Sequence, residues 1–209
     1  MSYRIKEIYF TQQGEGKNTG KNFVFVRFSG CNLWSGKEKN RESAICKFCD
    51  TDFYGVDGVN GGIYEANELV KIIKSLWMVD SSPISAVLTG GEPLLQLDDE
   101  LIQELKKEDI YIAIETNGTL LAPDGIDWIC MSPKAGTEIK LRAGSEIKVV
   151  YPQEDLDPEK FSDLDFENFF IQPMDSKELE SNIAKSIKFC MDNPKWRLSL
   201  QTHKILGIR

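Results

Sequence analysis

Five cysteines occur in 209 residues, and three crowd into one segment: Cys31, Cys46 and Cys49, spaced C-x14-C-x2-C. Thiolates so placed can hold a metal ion, form a redox pair or ligate an iron–sulfur cluster. A structural zinc site wants a closed tetrahedral ligand set. Here that set would be Cys31, Cys46, Cys49 and the single histidine, His203, far downstream. A thioredoxin-type pair sits at the start of a helix. Cys46-Lys-Phe-Cys49 instead runs into DTDFYG, with no helix signal behind it. Three thiolates on a [4Fe–4S] cluster would leave one iron open to an outside ligand, which suits catalysis better than simple electron transfer.

Other chemistry-bearing stretches recur along the chain. TGGEP (89–93) carries two glycines that let a ligand approach backbone closely, or else simply form a tight turn. ETNGT (115–119), SPK (132–134) and QPMD (172–175) are polar and turn-forming. DTD (50–52) reads by itself as a turn. Arg27 interrupts an otherwise apolar run, where an unpaired charge would be costly, so it asks for a partner.

Each of these stretches follows a short apolar run. FVFVRF (23–28), ISAVLT (84–89), YIAIET (111–116), WICMS (128–132), EIKVVY (146–151) and NFFIQP (168–173) are rich in β-branched and aromatic residues and fit buried strands. IKEIYFT (5–11) fits a further short strand and RLSLQTHKIL (197–206) a seventh, edge strand. Helical periodicity covers 64–77, 98–108 and 176–193. The last places Leu179, Ile183, Ile187 and Cys190 on one face, behind a cap at Ser176. Alternating β and α segments predict a parallel sheet. A complete eight-fold β/α barrel needs about 250 residues. Six strands and three helices predict a partial, TIM-like (β6/α3) α/β barrel, one domain spanning 1–209. In such folds the chemistry gathers at the C-terminal strand ends, where these motifs lie.

The net charge of −8 and the absence of a basic stripe argue against a nucleic-acid partner. No apolar run is long enough to span a membrane. MSYRIKEIYF lacks the features of a signal peptide, which predicts a cytoplasmic protein with reduced thiols. Cys130 in a strand and Cys190 on a helix face read as core thiols.

Taken together, the motifs resemble the radical S-adenosylmethionine (SAM) superfamily. Cys31, Cys46 and Cys49, with Phe48 between the last two, and Gly90-Gly91-Glu92-Pro93 carry that resemblance. The stretched cysteine spacing departs from the usual C-x3-C-x2-C and narrows it. With TQQGEG (11–16), RFSGCNLW (27–34), LTGGEPLLQLD (88–98), IETNGT (114–119), SPKA (132–135), EIKVV (146–150) and WRLSLQTHK (196–204), the chain resembles the 7-carboxy-7-deazaguanine synthase family from about residue 3 onward.

The resemblance implies a lyase of queuosine and deazapurine biosynthesis. It would turn 6-carboxy-5,6,7,8-tetrahydropterin into 7-carboxy-7-deazaguanine with loss of ammonia, starting from a 5′-deoxyadenosyl radical. It implies a [4Fe–4S] cluster on Cys31, Cys46 and Cys49, SAM, and Mg²⁺ at Thr51. SAM contacts would come from Phe48, Asp50, Gly91, Ser132, Pro133, Lys134, Gln172, Pro173, Met174 and Asp175. The pterin would meet Gln12, Gln13, Gly14, Glu15, Arg27, Thr89 and the terminal carboxylate of Arg209. A homodimer and an electron donor such as flavodoxin are implied as well. The rival readings are an activating enzyme that acts on a partner protein, and a zinc- or cluster-binding module without turnover. His203 reads as structural or partner-facing.

Overall fold

The computed structural model describes residues Met1–Arg209. It contains one nine-stranded sheet, in the order β3-β1-β2-β4-β5-β6-β7-β8-β9. The strands are β1 (Ser2–Gln12), β2 (Asn22–Phe28), β3 (Gly62–Glu65), β4 (Ser85–Gly90), β5 (Tyr111–Thr116), β6 (Trp128–Met131), β7 (Ala143–Tyr151), β8 (Asp165–Pro173) and β9 (Arg197–Leu198). From β2 through β9 each neighbouring pair is parallel. β1 runs antiparallel to β2, and β3 antiparallel to β1. The crossover helices are α1 (Ala66–Leu76), α2 (Asp99–Lys107) and α3 (Leu179–Asp192). The six strands expected from the apolar runs and the three helices are thus present, with three further strands, β3 and β1 at one end and β9 at the other, on a sheet that stays open. No helix is long and apolar enough to cross a membrane.

Local sequence explains the helix starts. Glu65 and Glu68 form a reciprocal capping box on α1, and the Asp98 carboxylate accepts from the Leu101 N–H at 3.1 Å on α2. α3 departs from expectation. It starts at Leu179, with Glu178 rather than Ser176 in the capping position. The Ser176 hydroxyl accepts instead from the Glu178 N–H and from Asn182 Nδ2. The face of α3 also differs. Asn182 and Ser186 are buried, while Leu179 and Ile187 are exposed. The two polar side chains can be buried because both are satisfied: Asn182 donates to the Met174 carbonyl at 2.9 Å and Ser186 to the Asn182 carbonyl at 2.7 Å.

Two strand expectations also change. The segment 5–11 is part of an eleven-residue strand. The segment 197–206 pairs only over Arg197–Leu198 and ends in a short helix, α4 (Thr202–Leu206). The Thr202 N–H and hydroxyl bond the Gly14 carbonyl, at 2.9 and 3.0 Å, which turns the chain away from the sheet edge. β3 takes Tyr64 and Glu65 from the expected helix 64–77, which starts instead at Ala66. The segment 35–45, between the first two clustered cysteines, contains one 3-10 turn at Glu38–Asn40.

Strand register sorts the side chains. Val24, Val26 and Phe28 of β2, with Ala86, Leu88, Ile112 and Ile114, pack outward in the main core against α1 and α2. Ile147, Val149, Phe169, Ile171 and Trp196 form a second core that reaches Phe189 of α3. On the inner face, Phe25, Val87, Ala113 and Trp128 stand in register and form an apolar layer. One step along, Arg27, Thr89, Glu115, Cys130 and Glu146 stand in register. Period-two alternation therefore separates a dry core from a polar interior.

Trp196 is 2% exposed, stacks edge-on against Phe169 at 5.3 Å, and donates from Nε1 to Glu159 at 2.7 Å. Trp196→Ala should cost about 3–5 kcal/mol in a denaturant titration. A loss below about 1 kcal/mol would remove Trp196 from the second core's foundation.

Candidate active site

The polar layer opens into a cavity of about 440 Å³. All three clustered cysteines line it, together with strand-end residues from β2 to β8 and the C-terminal segment. Of the residues expected to hold the cluster, Mg²⁺, SAM or the pterin, every one except Pro133 reaches the cavity wall. The Pro133 carbonyl instead accepts from Gln153 Nε2 at 3.3 Å, so it shapes the turn after β6.

One end of the cavity is a carboxylate cluster. The Lys148 ammonium lies 2.5 Å from Glu15 and 3.6 Å from Glu115. Gln13 donates to Glu115 at 2.9 Å and accepts from the Glu15 N–H at 3.1 Å. Thr89 donates to Glu115 at 3.2 Å, and Gln201 donates to Glu15 at 2.9 Å. Burial alone would raise the Glu15 carboxyl, but the Lys148 ammonium overrides it and holds the group well below the ordinary carboxylate range. Burial also works against the Lys148 charge, yet Glu115 and Glu15 outweigh it and hold the ammonium well above its ordinary value. Next to them, burial pushes the Glu146 carboxyl up. Glu146 accepts from the Lys17 N–H at 2.9 Å and from the Cys130 thiol at 3.4 Å.

A cationic group faces the cavity from β1, β2 and the C-terminus. Arg27 pairs with Glu7 at 2.9 Å and donates to the Tyr9 hydroxyl at 3.0 Å. The partner that Arg27 required is therefore present within the chain. Arg209 reaches the same Glu7 at 3.1 Å and lies over the Tyr9 ring. Two guanidiniums share the Glu7 carboxylate. The Thr11 hydroxyl donates to an oxygen of the terminal carboxylate of Arg209 at 2.7 Å, which brings a second carboxylate beside the two guanidiniums.

At the strand ends, Gly90 and Gly91 make close backbone packing possible. Gly90 has φ +123, and a Cβ on Gly91 would fall 1.9 Å from the Gly30 carbonyl oxygen. The Gly91 N–H is spent on the Phe28 carbonyl at 3.2 Å, so Gly91 offers a ligand its carbonyl oxygen. Glu92, fully buried, accepts from the Leu94 N–H, the Thr116 hydroxyl and the Asn117 N–H at 3.0, 2.8 and 2.8 Å. Burial raises its carboxyl; these donors oppose that. Asn117 then donates to Asn32, beside Cys31, at 2.9 Å. Three loop ends are thereby buckled together. The Lys134 ammonium bonds the Ser132 carbonyl and hydroxyl, both at 2.7 Å, and lies 5.9 Å from the Phe48 ring centre. Asp50 and Asp175 share Lys204 at 2.5 and 2.6 Å, while Asp52 pairs with Lys6 at 2.9 Å. Both acids beside Thr51 are therefore engaged.

The donor set fits an iron–sulfur cluster better than a single ion. No three His, Cys, Asp or Glu side chains converge on a one-metal site. In a cluster each thiolate takes a different iron, so wider separation is required. Burial raises all three thiols, while backbone of Leu33, Trp34, Phe48 and Thr51 hydrogen-bonds to them. The Trp34 indole N–H, in the same segment, is the one buried side-chain polar atom without a partner. Backbone donors aimed at three thiols suit the thiolate ligands of an inorganic core.

The sequence reading missed Glu115, Lys148, Glu146, Glu7, Tyr9, Gln201 and Lys204, all at or beside the cavity. A signal existed for two of them: Glu146 and Lys148 alternate with apolar residues in β7, on the inward face. His203 also lines the cavity, packed on Gly14, where a Cβ would meet its Nδ1 at 2.1 Å. Cys130 is buried as expected, yet it faces the cavity; Cys190 packs beside the second core.

Comparison with known proteins agrees with this geometry. A profile of the radical SAM superfamily matches residues 40–148. The 7-carboxy-7-deazaguanine synthase of Bradyrhizobium diazoefficiens is 56% identical over 210 residues, covering 100% of both chains. That of Caulobacter vibrioides is 51% identical over 209 residues, again covering 100% of both. The crystal structure of QueE from Escherichia coli superposes with a TM-score of 0.71 at 24% identity, covering 96% of this chain and 94% of that one, and so shares the fold. With the cysteine segment, the glycine turn and these full-length relatives in hand, the chain belongs to the 7-carboxy-7-deazaguanine synthase family of the radical SAM superfamily.

Proposed function

We propose that this chain converts 6-carboxy-5,6,7,8-tetrahydropterin to 7-carboxy-7-deazaguanine, with loss of ammonia, as one radical SAM domain over residues 1–209. The observation that carries the reading is the polarity of the cavity. Arg27 and Arg209 share Glu7 on one side, and Glu15 and Glu115 share Lys148 on the other. A carboxypterin has matching polarity: a carboxylate on one ring and a donor edge, the amino group with its neighbouring N–H, on the other. Arg27 pairs with the carboxylate, for which a guanidinium has the right fork geometry. Carboxylates and the Gln13 amide accept from the donor edge.

When bound, the [4Fe–4S] cluster and SAM supply the radical that removes the first hydrogen from the pterin ring. This chain's residues hold and shield them. Cys31, Cys46 and Cys49 ligate three irons. The Gly91 carbonyl accepts from the SAM amino group, and Lys134 places a positive charge near the carboxylate or ribose. Phe48, Asp50, Ser132 and the segment Gln172 to Asp175 complete the SAM pocket. Pro133 contributes only the turn that presents Ser132 and Lys134. Thr51 would hold Mg²⁺, and one protein ligand suffices because Mg²⁺ keeps much of its hydration. The protein works as a homodimer in the cytoplasm, with a low-potential donor such as a flavodoxin.

Anaerobically reconstituted protein, given reductant, SAM, Mg²⁺ and the carboxytetrahydropterin, should form 7-carboxy-7-deazaguanine by mass spectrometry. SAM cleavage that does not depend on the pterin would contradict the substrate assignment. Cys49→Ala should keep the folded far-ultraviolet spectrum but lose cluster absorbance and turnover; retained absorbance would remove Cys49 from the ligand set. Thr51→Ala should raise the Mg²⁺ concentration for half-maximal rate by about tenfold. An unchanged Mg²⁺ response would remove Thr51 from the metal site.

A further inference from the structure

We infer that Lys148 is a positioning residue for the substrate: its ammonium holds Glu15 and Glu115 together as the acceptor pair that reads the donor edge of the ring. The inference rests on the pterin reading above.

The Lys148 side chain is only 5% exposed. An ammonium so buried is costly unless it is paired. Its two ion pairs, with Glu15 and Glu115, come from the β1–β2 connection and from β5, while Lys148 itself sits on β7. One cation thus spans the cavity floor. Neither acid has a second cation: the remaining contacts are the neutral donors Gln201, Gln13 and Thr89. Two carboxylates around one ammonium leave an unbalanced negative charge on a cavity wall, which calls for a ligand rich in N–H donors.

The charge state of the pair is what matters. A carboxyl that took up a proton would present a donor to a donor and lose the ligand. The other titratable groups facing this cluster are Cys130 on β6, Lys134 in the turn after β6, Glu146 on β7 and His203 from the C-terminal segment. Lys134 is the one fixed cation among them, and its ammonium is held by the Ser132 carbonyl and hydroxyl rather than by Glu15 or Glu115. Without the ammonium, burial is left as the main influence on Glu15, and burial raises a carboxyl. The charged form would then be lost at higher pH as pH falls. A residue that merely filled space would not move that limb.

The test measures binding of 7-carboxy-7-deazaguanine, which keeps the same amino and N–H edge, to cluster-loaded protein by anaerobic calorimetry across mildly acid to mildly alkaline pH. Lys148→Met should bind about tenfold more weakly at neutral pH, with its acid limb moved up by about one unit. Cluster absorbance and SAM affinity should stay as in the unsubstituted protein, which shows that the variant is folded. Lys148→Arg should keep the acid limb in place, because the charge remains. If the unsubstituted protein binds and Lys148→Met shows the same pH limb, the inference is overturned while the pterin reading stands. Failure of the unsubstituted protein to bind overturns the pterin reading, and this inference with it.

Discussion

Parallel register is the constraint on which the site depends. Hydrogen bonding between neighbours fixes Phe25, Val87, Ala113 and Trp128 at one height, and Arg27, Thr89, Glu115, Cys130 and Glu146 at the next inward height. Layers of inward side chains are how β/α barrels fill their interiors. Here one layer is apolar, and the next is polar and lines the cavity. A one-residue slip in any strand would turn its polar residue outward into the packed core. The same register that builds the fold therefore selects which groups meet the ligand.

Placing charge inside a barrel is tolerable only with local compensation. The chain achieves this with shared ions. Glu7 serves two guanidiniums, Lys148 serves two carboxylates, and Lys204 ties Asp50 to Asp175. At Lys148 the carboxylates outnumber the cation, whereas the two guanidiniums at Glu7 are matched by Glu7 and the terminal carboxylate of Arg209. The C-terminal segment closes the arrangement. Gln201, Thr202, Lys204 and Arg209 contact Glu15, Gly14, Asp50 and Thr11, so residues far apart in sequence form one wall.

The parts legible in the sequence were those written in local pattern. Six apolar runs gave the parallel strands, and cysteine spacing with the glycine turn located the cavity's rim. Arg27 announced itself by interrupting FVFVRF. Glu146 and Lys148 did so less clearly, because two charges in a nine-residue strand still leave a convincing apolar run. Glu115 lies in ETNGT, where the turn residues carry the stronger signal. The C-terminal segment departs from its strand pattern for another reason: a short apolar run does not distinguish strand from helix, and its turn is set by a long-range bond to Gly14. The α3 face failed similarly. Its apolar stripe lost to Asn182 and Ser186, whose hydrogen bonds satisfy them inside.

Guanidiniums on one side of the cavity and a carboxylate pair on the other orient one ligand. An anaerobic crystal structure with cluster, SAM and the carboxytetrahydropterin bound is the decisive measurement. The substrate carboxylate should lie on the Arg27 side and the amino edge against Glu15 and Glu115. A pterin bound the other way round, or outside the polar layer, would contradict it.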